Sequence, residues 1–362
     1  MDKGGSNIKN HFGILICGHG SRNKLAIEEF KDLTLSIKDR YEGIDVEYGF
    51  LEFAQPSLVD ALDKFKKKGI TKVLAVPAML FAAGHVKNDI PSVLNSYSKK
   101  NNIEIVYGRE LGINNLMVSA ACERVKDVFT KNIEIKPSES VLVVVGRGSS
   151  DPDANSNVCK ITRMIVEGLG MAWGETVYSG VTFPLVEPGL NHIVKLGYKN
   201  VIIFPYFLFS GVLVTRIKRQ RDSVALKNPN LAFYDAKYLS SHPHVVDTFE
   251  ERINEILYKK NNADMNCSLC KYRSNLFGFE SEVGLTQVSH HDHVEGLGIS
   301  CDLCVSECNG SCELEIQALG TQLDSGGKSG HHHNHHHHHS NYPNAMHPLG
   351  PVNLKAKEED KS

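Results

Sequence analysis

Two histidines and one glutamate recur at even spacing in the first quarter of the chain. His19 lies in Gly-His-Gly-Ser, Glu52 in Phe-Leu-Glu-Phe and His85 in Ala-Ala-Gly-His-Val, with 33 residues from each to the next. Two imidazoles and a carboxylate form a donor set for a labile divalent transition metal. The same groups move protons near neutral pH, because an unperturbed imidazole titrates near ~6.5. Either imidazole suits either task, and Glu52 can offset an ion's charge or relay a proton.

A second set of residues suits an anion. Gly-His-Gly-Ser (18–21) and Gly-Arg-Gly-Ser-Ser (146–150) are short turns whose backbone N–H groups can face negative charge. Neither is a Walker sequence or a dinucleotide fingerprint, which argues against a nucleotide site. Ser21 reads as a helix N-cap or as a contact to such an anion. Arg147, Arg216, Lys218, Arg219 and Arg221 are the densest basic group. Arg147 and Arg216 are candidates to face acidic groups of a ligand, while the run 216–221 reads equally as a solvated helix face.

These residues need elements to position them. Gly13–Cys17, Val46–Leu51, Lys72–Pro77 and Ile103–Val106 are short apolar runs that read as strands. Helical spacing runs between and after them, over Lys24–Arg40, Pro56–Lys68, Val86–Tyr97 and Ile113–Phe129, with Pro91 disturbing the third. Strand–helix alternation predicts an α/β fold with a parallel sheet covered on both faces. The pattern then repeats: 141–150 lines up with 14–22, and 198–214 with 70–86. His19 falls on Arg147, Pro77 on Pro205 and His85 on Leu213, each 128 residues apart, while Glu52 falls near Thr182. The expectation is two tandem, duplicated open parallel sheets flanked by helices, over residues 10–135 and 138–260, with the active site in the first copy. Ligands of such sheets bind beyond the strands' carboxyl ends, where His19, Glu52 and His85 all fall.

Residues 263–362 have another character. They carry 13 acidic against 6 basic residues, 12 of the 18 histidines and 6 of the 9 cysteines. Cys267 and Cys270 open this irregular tail, and Cys301, Cys304, Cys308 and Cys312 follow. Thiolates at such spacings can converge on an iron–sulfur cluster or on Zn2+. His331, His332, His333, His335, His336, His337, His338 and His339 form a tract interrupted by Asn334. That tract is a candidate store for Co2+, Ni2+ or Zn2+, although an expression tag has the same look. Cys17, Cys122 and Cys159 read as small buried side chains.

With 41% hydrophobic and 23% charged residues, and a net charge of −2, the chain has a soluble globular composition. The apolar stretch Val201–Phe209 is too short to span a bilayer. The N-terminus has no secretory pattern, so a cytoplasmic setting is expected. Nothing in the charge pattern calls for nucleic acid or a membrane.

The Gly-His-Gly-Ser turn, the glutamate of Phe-Leu-Glu-Phe-Ala-Gln-Pro-Ser and the stretch Val-Pro-Ala-Met-Leu-Phe-Ala-Ala-Gly-His-Val-Lys-Asn-Asp-Ile-Pro resemble the class II tetrapyrrole chelatases. The duplicated arrangement is similar to their long CbiX type. The resemblance covers nearly all of residues 10–260. It implies insertion of Co2+, as substrate, into sirohydrochlorin on the anaerobic cobalamin pathway. His19, Glu52 and His85 would be the metal-binding and proton-accepting set. It also implies an iron–sulfur association for the Met-x-Cys-x-x-Cys stretch at Cys267 and Cys270. Basic residues would meet the carboxylates of the macrocycle. Two copies in one chain make a monomer geometrically sufficient. Rival expectations are iron or nickel insertion, and a metal-storage or metallochaperone protein with a decayed enzyme head.

Overall fold

The computed structural model describes residues 12–258 and 283–284. The cysteines from Cys267 to Cys312 and the His331–His339 tract lie outside the described residues. The first half runs β1 (Phe12–Gly18), α1 (Lys24–Lys38), β2 (Asp45–Phe50), α2 (Leu58–Lys67), β3 (Lys72–Pro77), a π-helical turn (His85–Asp89), α3 (Ile90–Asn101), β4 (Glu104–Tyr107) and α4 (Asn115–Lys131). A short 3-10 turn at Pro137–Glu139 leads into the second half. That half runs β5 (Ser140–Gly146), α5 (Pro152–Leu169), β6 (Trp173–Tyr178), α6 (Val186–Val194), β7 (Asn200–Pro205), α7 (Val212–Lys227), β8 (Ala232–Asp235) and α8 (Pro243–Leu257).

Each half is a four-stranded sheet, ordered β2-β1-β3-β4 and β6-β5-β7-β8, with every pairing parallel. In both, the strand order reverses beside the first strand, so the loops after β1 and β3 flank the switch point where open α/β sheets bind ligands. The central strands are apolar at consecutive positions because both faces are covered. Leu15, Cys17, Val73 and Ala75 face α2 and α3 on one outer side. Val141, Val143, Val145, Val201 and Ile203 face the α6 and α7 side of the other sheet.

The opposite faces share one core. Ile14, Ile16, Leu74 and Val76 of the first sheet join Leu142, Val144, Ile202 and Phe204 of the second in one cluster, with Met117, Val125, Ile161 and Phe249 from the helices between. The last helices are exchanged. α8 packs on β3 of the first half, while α4 packs on α5 and reaches β7 of the second. Arg252 of α8 is fully buried, where it hydrogen-bonds Glu255 and the Leu111 carbonyl; Arg109 holds Glu255 from the first half through two bonds of 2.7 and 3.0 Å.

The structure refines the expected third helix. Pro91 sits in the first turn of α3, where its missing N–H costs nothing. The residues before it, which include His85, form a π-helical turn instead of α-helix. Cys17 is buried and Cys122 half-buried, but Cys159 is exposed on α5, its Sγ 3.6 Å from Tyr178 Oη. Its position on a helix next to the buried Val158 had suggested burial; it lies one residue off the buried stripe.

Because one core serves both sheets, Phe249→Ala should destabilise the whole described region by about 3–5 kcal/mol. Denaturant unfolding should show a single transition at a lower midpoint. Two separated transitions, one per half, would contradict the shared core.

Candidate active site

The parallel ladder between β1 and β2 continues past the strands into the site. Leu51 N donates to the Gly18 carbonyl at 2.8 Å, and Glu52 N to the His19 carbonyl at 2.9 Å. Gly20 makes this possible. Its φ is +98°, and a Cβ there would stand 1.7 Å from the Glu52 carbonyl oxygen. Only glycine allows both the left-handed turn and that approach. Phe53, with φ +62°, then turns the chain away after Glu52. β3 brings the third residue: Ala78 N donates to the Cys17 carbonyl, and the loop beyond leads to His85. Phe81 in that loop stacks on Tyr206 of the second half, with ring centroids 5.8 Å apart.

The three side chains converge. His19 Nε2 is 3.1 Å from His85 Nε2 and 3.0 Å from Glu52 Oε1. One donor atom from each lies within 4.8 Å of the others, and among the described residues this is the group of three such side chains so placed. The other ring nitrogens fix the tautomers. His19 Nδ1 is 3.0 Å from the Gly20 carbonyl, which can only accept, so Nδ1 carries the proton. His85 Nδ1 is 2.7 Å from Asp89 Oδ2, four residues on in the same turn. Asp89 is itself buried and takes a 2.9 Å hydrogen bond from Asn88. Both imidazoles therefore turn an Nε2 lone pair toward each other and toward a carboxylate. Only a positive species between them, a proton or a metal ion, makes that arrangement favourable. Donor atoms 3.0–3.1 Å apart fit around one ion at bond lengths of about 2.1 Å.

Glu52 is 2% exposed, and burial pushes its carboxyl up to about 8; Arg147 and Arg22 pull it down and Asp89 pushes it further up. Near neutral pH the metal-free site thus keeps the Glu52 proton, which must leave when a cation arrives.

Residues outside the triad fall into three groups. Ser21 lines a cavity with His19, Ala26, Phe30 and Phe209. It does not cap α1: Asn23 does, and Ser21 Oγ accepts from Asn23 N. Arg147 is exposed, close enough for its charge to act on Glu52. Arg216 is 9% exposed on α7 and lines a separate cavity with Glu187, Arg219, Gln220 and Ser223. The structure also places residues that the sequence reading passed over. Arg22 lies over the Phe53 ring at 4.9 Å and its charge reaches Glu52. Asp89 orients His85, and its signal was the four-residue spacing after a histidine at a helix start.

The second half shows the same frame without the chemistry. Gly148, φ +87°, packs on the Gly180 carbonyl as Gly20 packs on Glu52. The counterpart of Glu52 is therefore Gly180, not Thr182 as the sequence spacing suggested, because the turn and not the apolar run sets the register. With Arg147 for His19 and Leu213 for His85, all three donors are gone.

Glu52 gives a pH test. Its folded pKa is above the unfolded one, so its protonated form contributes stability that is fully present below about 4.5 and lost as pH rises through about 8. Glu52→Gln should therefore leave stability near pH 5 little changed and raise it at pH 9 relative to the parent, while weakening Co2+ binding at least tenfold. Thermal unfolding at both pH values and a chelator competition measure this; unchanged Co2+ affinity would remove Glu52 from the site.

Comparison with known proteins agrees with the geometry. The family model for CbiX matches residues 13–128 and again 141–256. A sirohydrochlorin cobaltochelatase of Priestia megaterium is 33% identical over 290 residues, covering 80% of this chain and 90% of the relative. A sirohydrochlorin ferrochelatase of Bacillus subtilis is 32% identical over 244 residues, covering 67% and 90%. The solved structure of SirB from Bacillus subtilis with Fe3+ superposes with a TM-score of 0.61 at 29% identity, covering 70% of this chain and 99% of that one. Two matches of one family model, a duplicated fold and a metal-suited triad in one copy lead to one conclusion: the chain belongs to the CbiX family.

Proposed function

We propose that this chain is a metal chelatase that inserts Co2+ into sirohydrochlorin and accepts two pyrrole protons. The observation that carries the reading is the pair of Nε2 lone pairs held face to face beside the buried Glu52. Insertion needs a cation held loosely enough to leave, and bases ready when it leaves. Two neutral imidazoles and one carboxylate supply too few donors to saturate Co2+, so positions remain for water and then for macrocycle nitrogens. As the ion moves to the ring, the vacated Nε2 atoms and Glu52 become bases for the departing protons. Asp89 stabilises the imidazolium that forms on His85, and the Gly20 carbonyl holds His19 in the same tautomer throughout. Arg147, with Ser21 nearer the triad, is placed to meet the substrate's carboxylates. For Arg216 the support is its charge alone.

Co2+ is favoured by the relative matched over the larger share of this chain, the cobaltochelatase at 80%. Iron insertion is the second reading, supported by the ferrochelatase matched at 67%. The donor set does not select between them, because affinity for such ligands rises smoothly from Fe2+ to Co2+ and Ni2+. In the tail, Cys267, Cys270, Cys301, Cys304, Cys308 and Cys312 are proposed as iron–sulfur or zinc ligands, consistent with a reducing cytoplasm. The His331–His339 tract is proposed as a metal reserve. Among the described residues, no helix is long and apolar enough to cross a membrane.

The test is anaerobic absorption spectroscopy with sirohydrochlorin and, separately, Co2+, Fe2+ and Ni2+. A protein-dependent shift of the tetrapyrrole bands, fastest with Co2+ and reduced at least a hundredfold in His85→Ala, is expected. Fastest turnover with Fe2+ would favour the second reading, and no acceleration with any metal would leave storage as the better account. Deleting residues 331–339 should slow insertion several-fold at scarce Co2+ and leave it within about twofold at excess. Equal loss at both levels would refute the reserve.

A further inference from the structure

The insertion chemistry leaves one buried cluster without a role. Lys87 is 4% exposed, and its Nζ donates to Asp151 Oδ2 at 2.7 Å and to Asp153 Oδ2 at 3.3 Å. Lys87 belongs to the π-helical turn that begins with His85, and both carboxylates belong to the start of α5 in the other half. Desolvating three charges is expensive, and an apolar contact of the same size would join the halves as well or better. The cluster therefore points to a demand for geometry.

The 128-residue correspondence shows what is particular about it. The counterparts of Lys87, Asp151 and Asp153 are Thr215, Asn23 and Leu25, all uncharged. Asn23 caps α1 as Asp151 caps α5, so the cap itself needs no charge. Of the two equivalent contacts that a duplicated chain provides, only the one between the His85 turn and the 147–151 loop is ionic.

That loop is fixed at every step. Asp151 Oδ1 accepts from Asp153 N while Oδ2 accepts from Lys87. Asp151 N donates to Ser149 Oγ, and Asn155 bonds both the N–H and the carbonyl of Ser149. Ser179 Oγ donates to the Arg147 carbonyl at 3.0 Å. Arg147 itself is exposed at the head of the loop, in the position where the first half carries His19. Its charge is felt at Glu52, so it faces the triad across the cleft.

We propose that the Lys87–Asp151–Asp153 cluster is a positioning device for the macrocycle, locking the second-half loop so that Arg147 meets a carboxylate of the anionic tetrapyrrole seated over His19, Glu52 and His85. The inference rests on the insertion reading above. Lys87 is then a positioning residue acting through Arg147. The second half has lost its own metal donors and serves as the side that orients the substrate.

The test is a cycle of variants in the full chain: Lys87→Met with Asp151→Asn and Asp153→Asn, which removes all three charges together; Arg147→Ala; and both combined. KM for sirohydrochlorin should rise about tenfold in each of the first two and no further in the combined variant, because the cluster works through the arginine. Co2+ affinity in the absence of tetrapyrrole, read by chelator competition, should stay within about twofold. An unchanged KM in either variant, losses that multiply in the combination, or a tenfold loss of Co2+ affinity would each overturn the proposal. If the triple variant does not fold, Asp151→Asn alone, which keeps the cap, takes its place with a smaller rise. Absence of insertion in the unaltered protein would instead refute the functional reading, and is seen before any variant is compared.

Discussion

Two imidazole lone pairs and a carboxylate do not stay within about 3 Å of one another unless something holds them there. In this protein three constraints do. Gly20 lets the turn after β1 lie against the Glu52 carbonyl, so His19 and Glu52 continue the sheet's own ladder. The Gly20 carbonyl and the Asp89 carboxylate each take the proton from the far side of an imidazole. Burial keeps water from relaxing the cluster and holds the Glu52 proton until a cation displaces it. The sheets, the π-helical turn and the shared core can all be read as the scaffold for that one contact.

Duplication explains how a single site can sit in a symmetric frame. Both halves repeat the strand order, the glycine turn and the close approach of its backbone to the residue two positions after the second strand. One half spends that geometry on donors, His19, Glu52 and His85. The other carries Arg147, Gly180 and Leu213 at the same places, which cannot hold a cation but suit an anionic, partly apolar ring. Exchange of α4 and α8 makes the two halves one unit, so the cleft between them has a fixed shape.

Much of this was legible in the residues. The apolar runs of β1 and β3 and their echoes 128 residues later mark the duplicated parallel sheets, because strands buried on both faces leave little freedom in composition. His19, Glu52 and His85 stood out because each follows a strand and two are imidazoles. Other parts were not legible. Asp89 and Lys87 lie in a turn whose π geometry depends on Pro91 entering the next helix, and their partners are fixed only in three dimensions. Arg22 looked like an ordinary surface residue until Phe53 came under it. Gly180 was misplaced because an alignment of apolar runs does not register a turn. Cys159 shows the same limit: next to a buried valine, one step around a helix decides exposure.

The most direct test of the central claim is anomalous diffraction at the cobalt edge from crystals of the full chain loaded with one equivalent of Co2+. The account predicts one dominant peak between His19 Nε2, His85 Nε2 and the Glu52 carboxylate, with no counterpart near Arg147, Gly180 and Leu213. A dominant peak elsewhere, with the triad unaltered and its imidazoles still in direct contact, would contradict it.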